Sequence, residues 1–289
     1  MSYPQSAARG ALYVVLAEAC FVAMSALVKS ATTTLPNEVV VFFRNLFGLI
    51  ALLPLLPRLG WTGLGTTQTG LHLLRALAGL FAMYCFFYSL AHLKLSDAML
   101  MSLAAPIFIP VIARAWLKEP LPLVIGAAVL AGLAGVALVL KPAGEIRWVM
   151  FIALAGSMGA ALAKVTIRRL SETEPITRIV FYFALAGTLV SALPLFWVHA
   201  SLSVRELLVL AGIGVLATLG QLLLTRGYAS APAAVAGVFT YSAVVLAALL
   251  GWWIWGERWD AASIAGAMLI AAAGALALRV SRPTAEAQV

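Results

Sequence analysis

The segment PNEVVVFFRNLFG, residues 36–48, returns 139 positions later as PITRIVFYFALAG, residues 175–187. Pro36, Val41, Phe42, Leu46 and Gly48 fall on Pro175, Val180, Phe181, Leu185 and Gly187. Each copy leads into an apolar run, 38–56 and 177–198. About 20 residues of helix are needed to cross roughly 30 Å of hydrocarbon, so each run has the length of a membrane span. The repeat extends beyond these segments. A shift of 138 places Glu119 on Glu257, and a shift of 135 places Lys29 on Lys164. Small changes of offset are what insertions in loops produce, so the chain reads as a duplicated unit.

Outward from the two copies, eight further apolar runs complete the pattern: 10–29, 72–91, 97–116, 121–140, 147–167, 205–225, 233–254 and 260–279. The first follows Arg9 in the manner of a signal peptide, yet it continues past Glu18 to Lys29 and therefore reads as an uncleaved span. The longest connection, around 57–71, carries Pro57, Gly60, Trp61, Gly63 and Gly65 and reads as a loop. Five spans per unit is an odd number, so the second unit starts from the opposite side of the membrane. The expected fold is an all-α membrane protein of ten transmembrane helices. Two inverted-topology five-helix repeats, 1–143 and 144–289, make it up. Inverted repeats let a central site face either side in turn.

Composition supports lipid as the solvent. Hydrophobic residues are 63% of the 289, charged residues only 10%, and mean hydropathy is +1.03. Soluble domains carry about 45–50% apolar and about 25% charged residues. The net charge of +8 does not indicate a nucleic-acid partner, because the basic residues are dispersed at the ends of apolar runs. Twelve of them fall on the side of the termini and six on the other, with Arg44 left inside a span. The positive-inside rule then puts both termini in the cytoplasm. All eight tryptophans fall in loops or near span ends, where the indole N–H stays wet. Cys20 and Cys85 lie inside apolar runs and supply neither a disulfide framework nor a metal site.

Enzyme signatures are missing: there is no phosphate loop ending in Gly-Lys-Ser or Gly-Lys-Thr, and no His-Glu-x-x-His. His72, His92 and His199 lie apart near span ends. No enzyme activity, cofactor or metal is expected, and ATP-driven transport is disfavoured.

Two charges fall well inside the runs: Glu18 about eight residues into span one, and Arg44 about six into span two from the other face. At 1.5 Å per residue their depths differ by roughly 9 Å. Intramembrane charges commonly face a cavity or a partner, so this is a substrate-binding pair, with Glu18 a candidate proton site, or a structural ion pair. Lys164 near the end of span six reads better as a side chain snorkelling to the headgroups than as a cavity group. Gln221 in span eight is polar enough to prefer the interior. Tyr84, Phe87 and Tyr88 share a face of span three, either as the wall of a pocket or as an aromatic belt, with Tyr88 fitting the belt better. Met101 and Tyr241 are further cavity candidates against ordinary packing. Pro106 and Pro110 mark span four as kinked and are hinge candidates. Val244 and Ala248 stand at the matching positions of span nine, an asymmetry that fits one half bending more than the other, as a gate, or a static kink. Ala131 with Gly135, and Ala262 with Gly266, make spans five and ten a scaffold or a homodimer surface. One acid, one base and an aromatic wall suit a small zwitterion with an apolar side chain. A polyanion would need several cations.

The five-plus-five repeat, the Pro36 and Pro175 segments, GWWIWGERW at 251–259 and RAWLKEPL at 114–121 resemble the drug/metabolite transporter superfamily, in its EamA-type ten-span branch. Glu119 and Glu257 match that branch's glutamate at the end of the fourth span of each half; the first copy lacks the preceding glycine. Within the branch the chain looks most like YddG-type exporters of (aromatic) amino acids. The resemblance implies a multi-pass protein of the inner (plasma) membrane. Spans one to four and six to nine would surround a central cavity, with spans five and ten outside. It also implies export of small metabolites, amino acids or similar ones, by alternating access, with drugs or lipophilic cations as the alternative cargo. Ala17-Glu18 is similar to the Ala-Glu pair of the small multidrug pumps, which implies proton coupling there. Ala153 stands where the second half would repeat it.

Overall fold

A computed structural model describes residues 6–59, 64–92, 100–140, 148–198, 200–255 and 260–280. Among these residues all repetitive structure is helical. The first half contains α1 (Ala7–Ala31), α2 (Asn37–Leu52), α3 (Thr69–His92), α4 (Leu100–Trp116) and α5 (Leu123–Leu140). The second contains α6 (Trp148–Leu170), α7 (Ile176–Ala192), α8 (Val204–Ser230), α9 and α10 (Ala261–Val280). The ninth is built of three pieces, Ala233–Val238, a 3-10 turn Phe239–Tyr241 and Ser242–Trp255. Nine of the ten are long and apolar enough to cross a membrane, and α4 is the shorter tenth. The chain is an integral membrane protein, with ten helices in two repeats among the described residues.

The repeat is visible in how helices start and stop. Pro36 and Pro175 both sit in extended conformation at the N-caps of α2 and α7. Both helices pass at the far end into a 3-10 turn, Leu53–Leu59 and Leu193–Phe196. Pro54 and Pro194 begin these turns because proline removes a donor from the α-helical ladder.

Packing exchanges partners between the halves. The first helix lies along α8, and α6 lies along α3, its counterpart pair when the halves are swapped. The pairs α2 with α7 and α5 with α10 map onto themselves. The two repeats therefore interleave instead of standing side by side.

Large apolar side chains point outward, among them Leu123 at 92% exposure, Phe196 at 79% and Trp253 at 78%. Lipid gives no hydrophobic drive for helix association, so contacts rely on close approach through small residues. A Cβ on Gly135 would lie 2.7 Å from the Gly266 carbonyl oxygen. A Cβ on Gly227 would lie 2.6 Å from the Val14 side chain. Gly135 of α5 and Gly266 of α10 thus meet each other within one chain.

The fourth and ninth helices are both interrupted, although only the fourth has a proline at its break. The fourth helix breaks at Leu103 and Ala104, just before Pro106, with Ala104 N donating to Met101 O at 3.1 Å and Ile107 N to Ala104 O at 2.9 Å. Pro110 is buried in the regular helix that follows. The ninth helix breaks at the matching place without a proline. Tertiary partners supply that break: Phe239 packs on Gly274, and Thr240 accepts a hydrogen bond from Lys164.

Candidate functional site

Polar groups gather where α1, α2, α3, α6, α7, α8 and the break in α9 meet. Glu18 lies near the middle of α1 at 7% exposure. Lys164 of α6 does not snorkel: its Nζ donates to Thr240 Oγ1 at 3.2 Å, and it is within electrostatic reach of Glu18. The sequence reading failed here because α6 runs on to Leu170. Lys164 is then about 9 Å of helix short of the end. Tyr228 near the end of α8 is fully buried beside Glu18 and Thr240, its hydroxyl without a hydrogen bond of ordinary geometry.

Arg75 is the largest correction. Counted above with the border residues, it is 4% exposed inside the bundle. Its Nη2 donates to Gln221 Oε1 at 2.9 Å, and its guanidinium lies 4.0 Å over the Phe183 ring. Its Nε has no partner among the described residues. The third helix starts at Thr69, earlier than the apolar run suggested, and that carries Arg75 inside. Both Arg44 and Lys164 are within its electrostatic reach.

Arg44 does not pair with Glu18. Its Nη1 donates to Asn45 Oδ1 at 2.9 Å, and Asn45 Nδ2 donates to Ser191 Oγ at 3.3 Å, linking α2 to α7. Arg44, Asn45, Phe183, Thr218 and Gln221 border a cavity of about 20 Å³, room for a single water. Among the described residues this cluster thus holds three cations, Arg44, Arg75 and Lys164, and one acid, Glu18, where the sequence reading counted one of each.

The other candidates lie elsewhere. Tyr84 and Tyr88 are 41% and 39% exposed, on the stripe that also presents Leu73 and Leu77. Tyr88 stacks on His92 at 4.2 Å and lies 6.1 Å from Trp148. The side chain of Phe87 lies outside what is described. Met101 is half-buried at the break in α4. Tyr241 is fully buried against Gly132, among Val136, Val244 and Ile270, and so belongs to the packing around α5 and α10. Lys29 and Glu257 fall outside the described side chains.

Two polar clusters close the face that carries the termini. Glu119 Oε1 accepts from Arg168 Nε at 3.1 Å and its Oε2 accepts from Ala233 N at 2.8 Å, while Arg168 Nη1 donates to Ala229 O at 2.9 Å. Lys118, with φ 56°, turns the chain so that Glu119 faces back over the end of α4. Nearby, Glu174 accepts from Thr66 Oγ1 at 2.6 Å and from Arg178, and lies 3.8 Å from His72. Neither cluster was anticipated beyond Glu119 itself.

The family model for EamA-like transporters matches residues 8–141 and again residues 147–279. The chain belongs to the EamA-like transporter family. It is 36% identical over 270 residues to a pseudopaline exporter of Pseudomonas aeruginosa, covering 91% of this chain and 94% of that one. A riboflavin transporter of Vibrio cholerae is 25% identical, with 89% and 88% covered. An S-adenosylmethionine uptake transporter of Rickettsia bellii is 26% identical, with 82% of each covered. A solved crystal structure superposes with a TM-score of 0.82 over 97% of this chain and 99% of the other, at 21% identity, which speaks to the fold alone. These EamA relatives carry small molecules across membranes. They do not single out the aromatic amino-acid exporters within the family.

Proposed function

We propose that this EamA-family chain is a secondary transporter that exports amino-acid-like metabolites from the cytoplasm, across the inner membrane, by alternating access of its two inverted repeats. The observation that carries this reading is the cluster of four charged side chains, Glu18, Arg44, Arg75 and Lys164, held inside the bundle between the halves. Ionisable groups within a membrane protein are costly and line substrate or ion paths. A carboxylate suits a substrate amine, and guanidinium groups suit a carboxylate. With Arg75 and Lys164 removed from the border count, ten basic residues on the side of the termini still face six, which favours cytoplasmic termini. Export is also the activity named for the Pseudomonas relative. Glu18 is the group to which proton coupling would attach. A homodimer would have to form through surfaces other than Gly135 and Gly266, which meet each other within the chain.

A second reading has its own observation. An apolar groove of about 370 Å³ opens between α1 and α9, lined by Ala19, Val22, Leu250 and Trp253. It adjoins Glu18 in the chain, as a path for lipophilic cations would. The test is counterflow in proteoliposomes with radiolabelled amino acids, and with tetraphenylphosphonium as the competing cation. Glu18→Gln and Arg44→Ala should each slow amino-acid exchange at least tenfold while eluting as monodisperse protein. Well-folded mutants that exchange at the wild-type rate would make these charges structural. Tetraphenylphosphonium transport that needs Glu18 but not Arg44 would favour the second reading.

A further inference from the structure

We infer that the preferred substrate carries at least one more carboxylate than it has amines, an amino dicarboxylate rather than a simple zwitterion. This deepens the reading of the buried cluster as the substrate site and rests on it. Among the described residues three cations of this cluster, Arg44, Arg75 and Lys164, stand with a single acid, Glu18. Lys164 is the cation within electrostatic reach of Glu18. Arg44 and Arg75 are then left without a carboxylate, each within electrostatic reach of the other. No other described acid of the interior is free to serve them. Glu119 is held by Arg168 and the Ala233 amide. Glu174 is held by Thr66 and Arg178, with His72 3.8 Å away.

The neutral partners of the two arginines cannot balance their charge. Arg44 has the Asn45 amide oxygen, and Arg75 has the Gln221 amide oxygen and the Phe183 ring. Arg75 Nε, on a side chain only 4% exposed, remains an unmatched buried donor. A buried charge needs an opposite charge and filled hydrogen bonds. A planar guanidinium meets that need best with a carboxylate, through two parallel bonds. The small cavity beside Arg44 and Gln221 marks where such an oxygen begins to fit. The rest of the substrate needs the helices to part. A neutral amino acid adds no net charge and leaves both arginines poorly balanced, and a lipophilic cation makes the imbalance worse. Two carboxylates give Arg44 and Arg75 one each, with the amine toward Glu18, and reduce the excess positive charge of the cluster without abolishing it. The earlier expectation of a zwitterion with an apolar side chain rested on a count of one cation.

The experiment compares near-isosteric pairs in the full-length reconstituted chain: L-glutamate with L-glutamine, and L-aspartate with L-asparagine. Counterflow gives the exchange rate, and thermal unfolding in detergent gives binding independently of transport. L-Glutamate or L-aspartate should exchange at least tenfold faster than its amide and raise the unfolding temperature where the amide does not. Arg44→Gln should bring the acid-to-amide ratio close to one, and Arg75→Gln the same where it folds. Amides that match or exceed the acids in both measurements overturn the inference while leaving amino-acid transport standing. A folded protein that neither exchanges nor is stabilised by any amino acid sinks the proposed function, and this inference with it.

Discussion

Arg75 shows how the phase of a single residue on a membrane helix decides its role. On α3 the exposed side chains Leu73, Leu77, Phe81, Tyr84 and Tyr88 follow one another in steps of three and four, which is one stripe of a helix. His72, Arg75 and Gly79 lie on the opposite face, toward Tyr182 and Phe183 of α7. That phase was legible in the sequence. Distance from the end of the apolar run was the misleading measure, and it misassigned both Arg75 and Lys164. Asn45 and Thr240 carried no signal of their own, since their importance comes from the cations they meet. The Arg75–Gln221 bond makes a direct prediction. Gln221→Leu leaves a buried guanidinium donor unmatched, at a cost of about 1–3 kcal/mol. For a chain of this size each kcal/mol shifts the melting temperature by roughly 2–4 °C, so thermal unfolding in detergent should fall by several degrees. Gln221→Glu keeps an acceptor and adds the missing charge, and should melt at or above the wild type. Equal melting of Gln221→Leu and wild type would mean that the bond contributes nothing to stability.

Whole helices were far easier to read than their interruptions. Ten apolar runs gave ten helices to within a few residues at most ends, because hydrocarbon thickness sets the length. The break in α4 had a local cause in Pro106. The break in α9 had none, and arises from Lys164 and Gly274 on other helices. The glycines of α5 illustrate the same limit, since their spacing signals close approach without naming the partner. Gly126 has nothing within 4 Å of where a Cβ would stand, whereas Gly135 faces the Gly266 carbonyl. Gly126→Ala should therefore be neutral or gain about 0.5–1 kcal/mol from reduced chain entropy. Gly135→Ala should lose about 1–3 kcal/mol through overpacking. The two substitutions lie on one helix and change one methyl group each, so their melting temperatures in the same detergent should move apart. Parallel shifts would mean that α5 and α10 do not pack through this contact.

At the scale of the molecule, the conformation is closed on the face that carries the termini. Tyr228 to Val238, from the end of α8 through the first piece of α9, contains almost only buried residues. Ser6 N donates to Ser230 O at 2.9 Å, tying the start of α1 to that turn. Glu119 and Arg168 add α4 and α6 to the same seal. Glu257, outside the described residues, occupies the repeat-matched position in the sequence. An inverted pair of halves should use it on the other face in the opposite state. Removing the charge of Glu119 weakens charge-assisted bonds made in one state only, and a differential loss of about 1.4 kcal/mol shifts a two-state population tenfold. The readout is a thiol at position 229, where Ala229 is 1% exposed, introduced as Ala229→Cys with Cys20 and Cys85 replaced by alanine. Glu119→Gln should raise its reaction with a membrane-impermeant maleimide about tenfold, applied from the side of the termini. Glu257→Gln should lower it, because the closed state on this face then gains relative weight. If both substitutions change the reactivity in the same direction, the two glutamates are not opposed gates, and the symmetry of the fold does not extend to its motion.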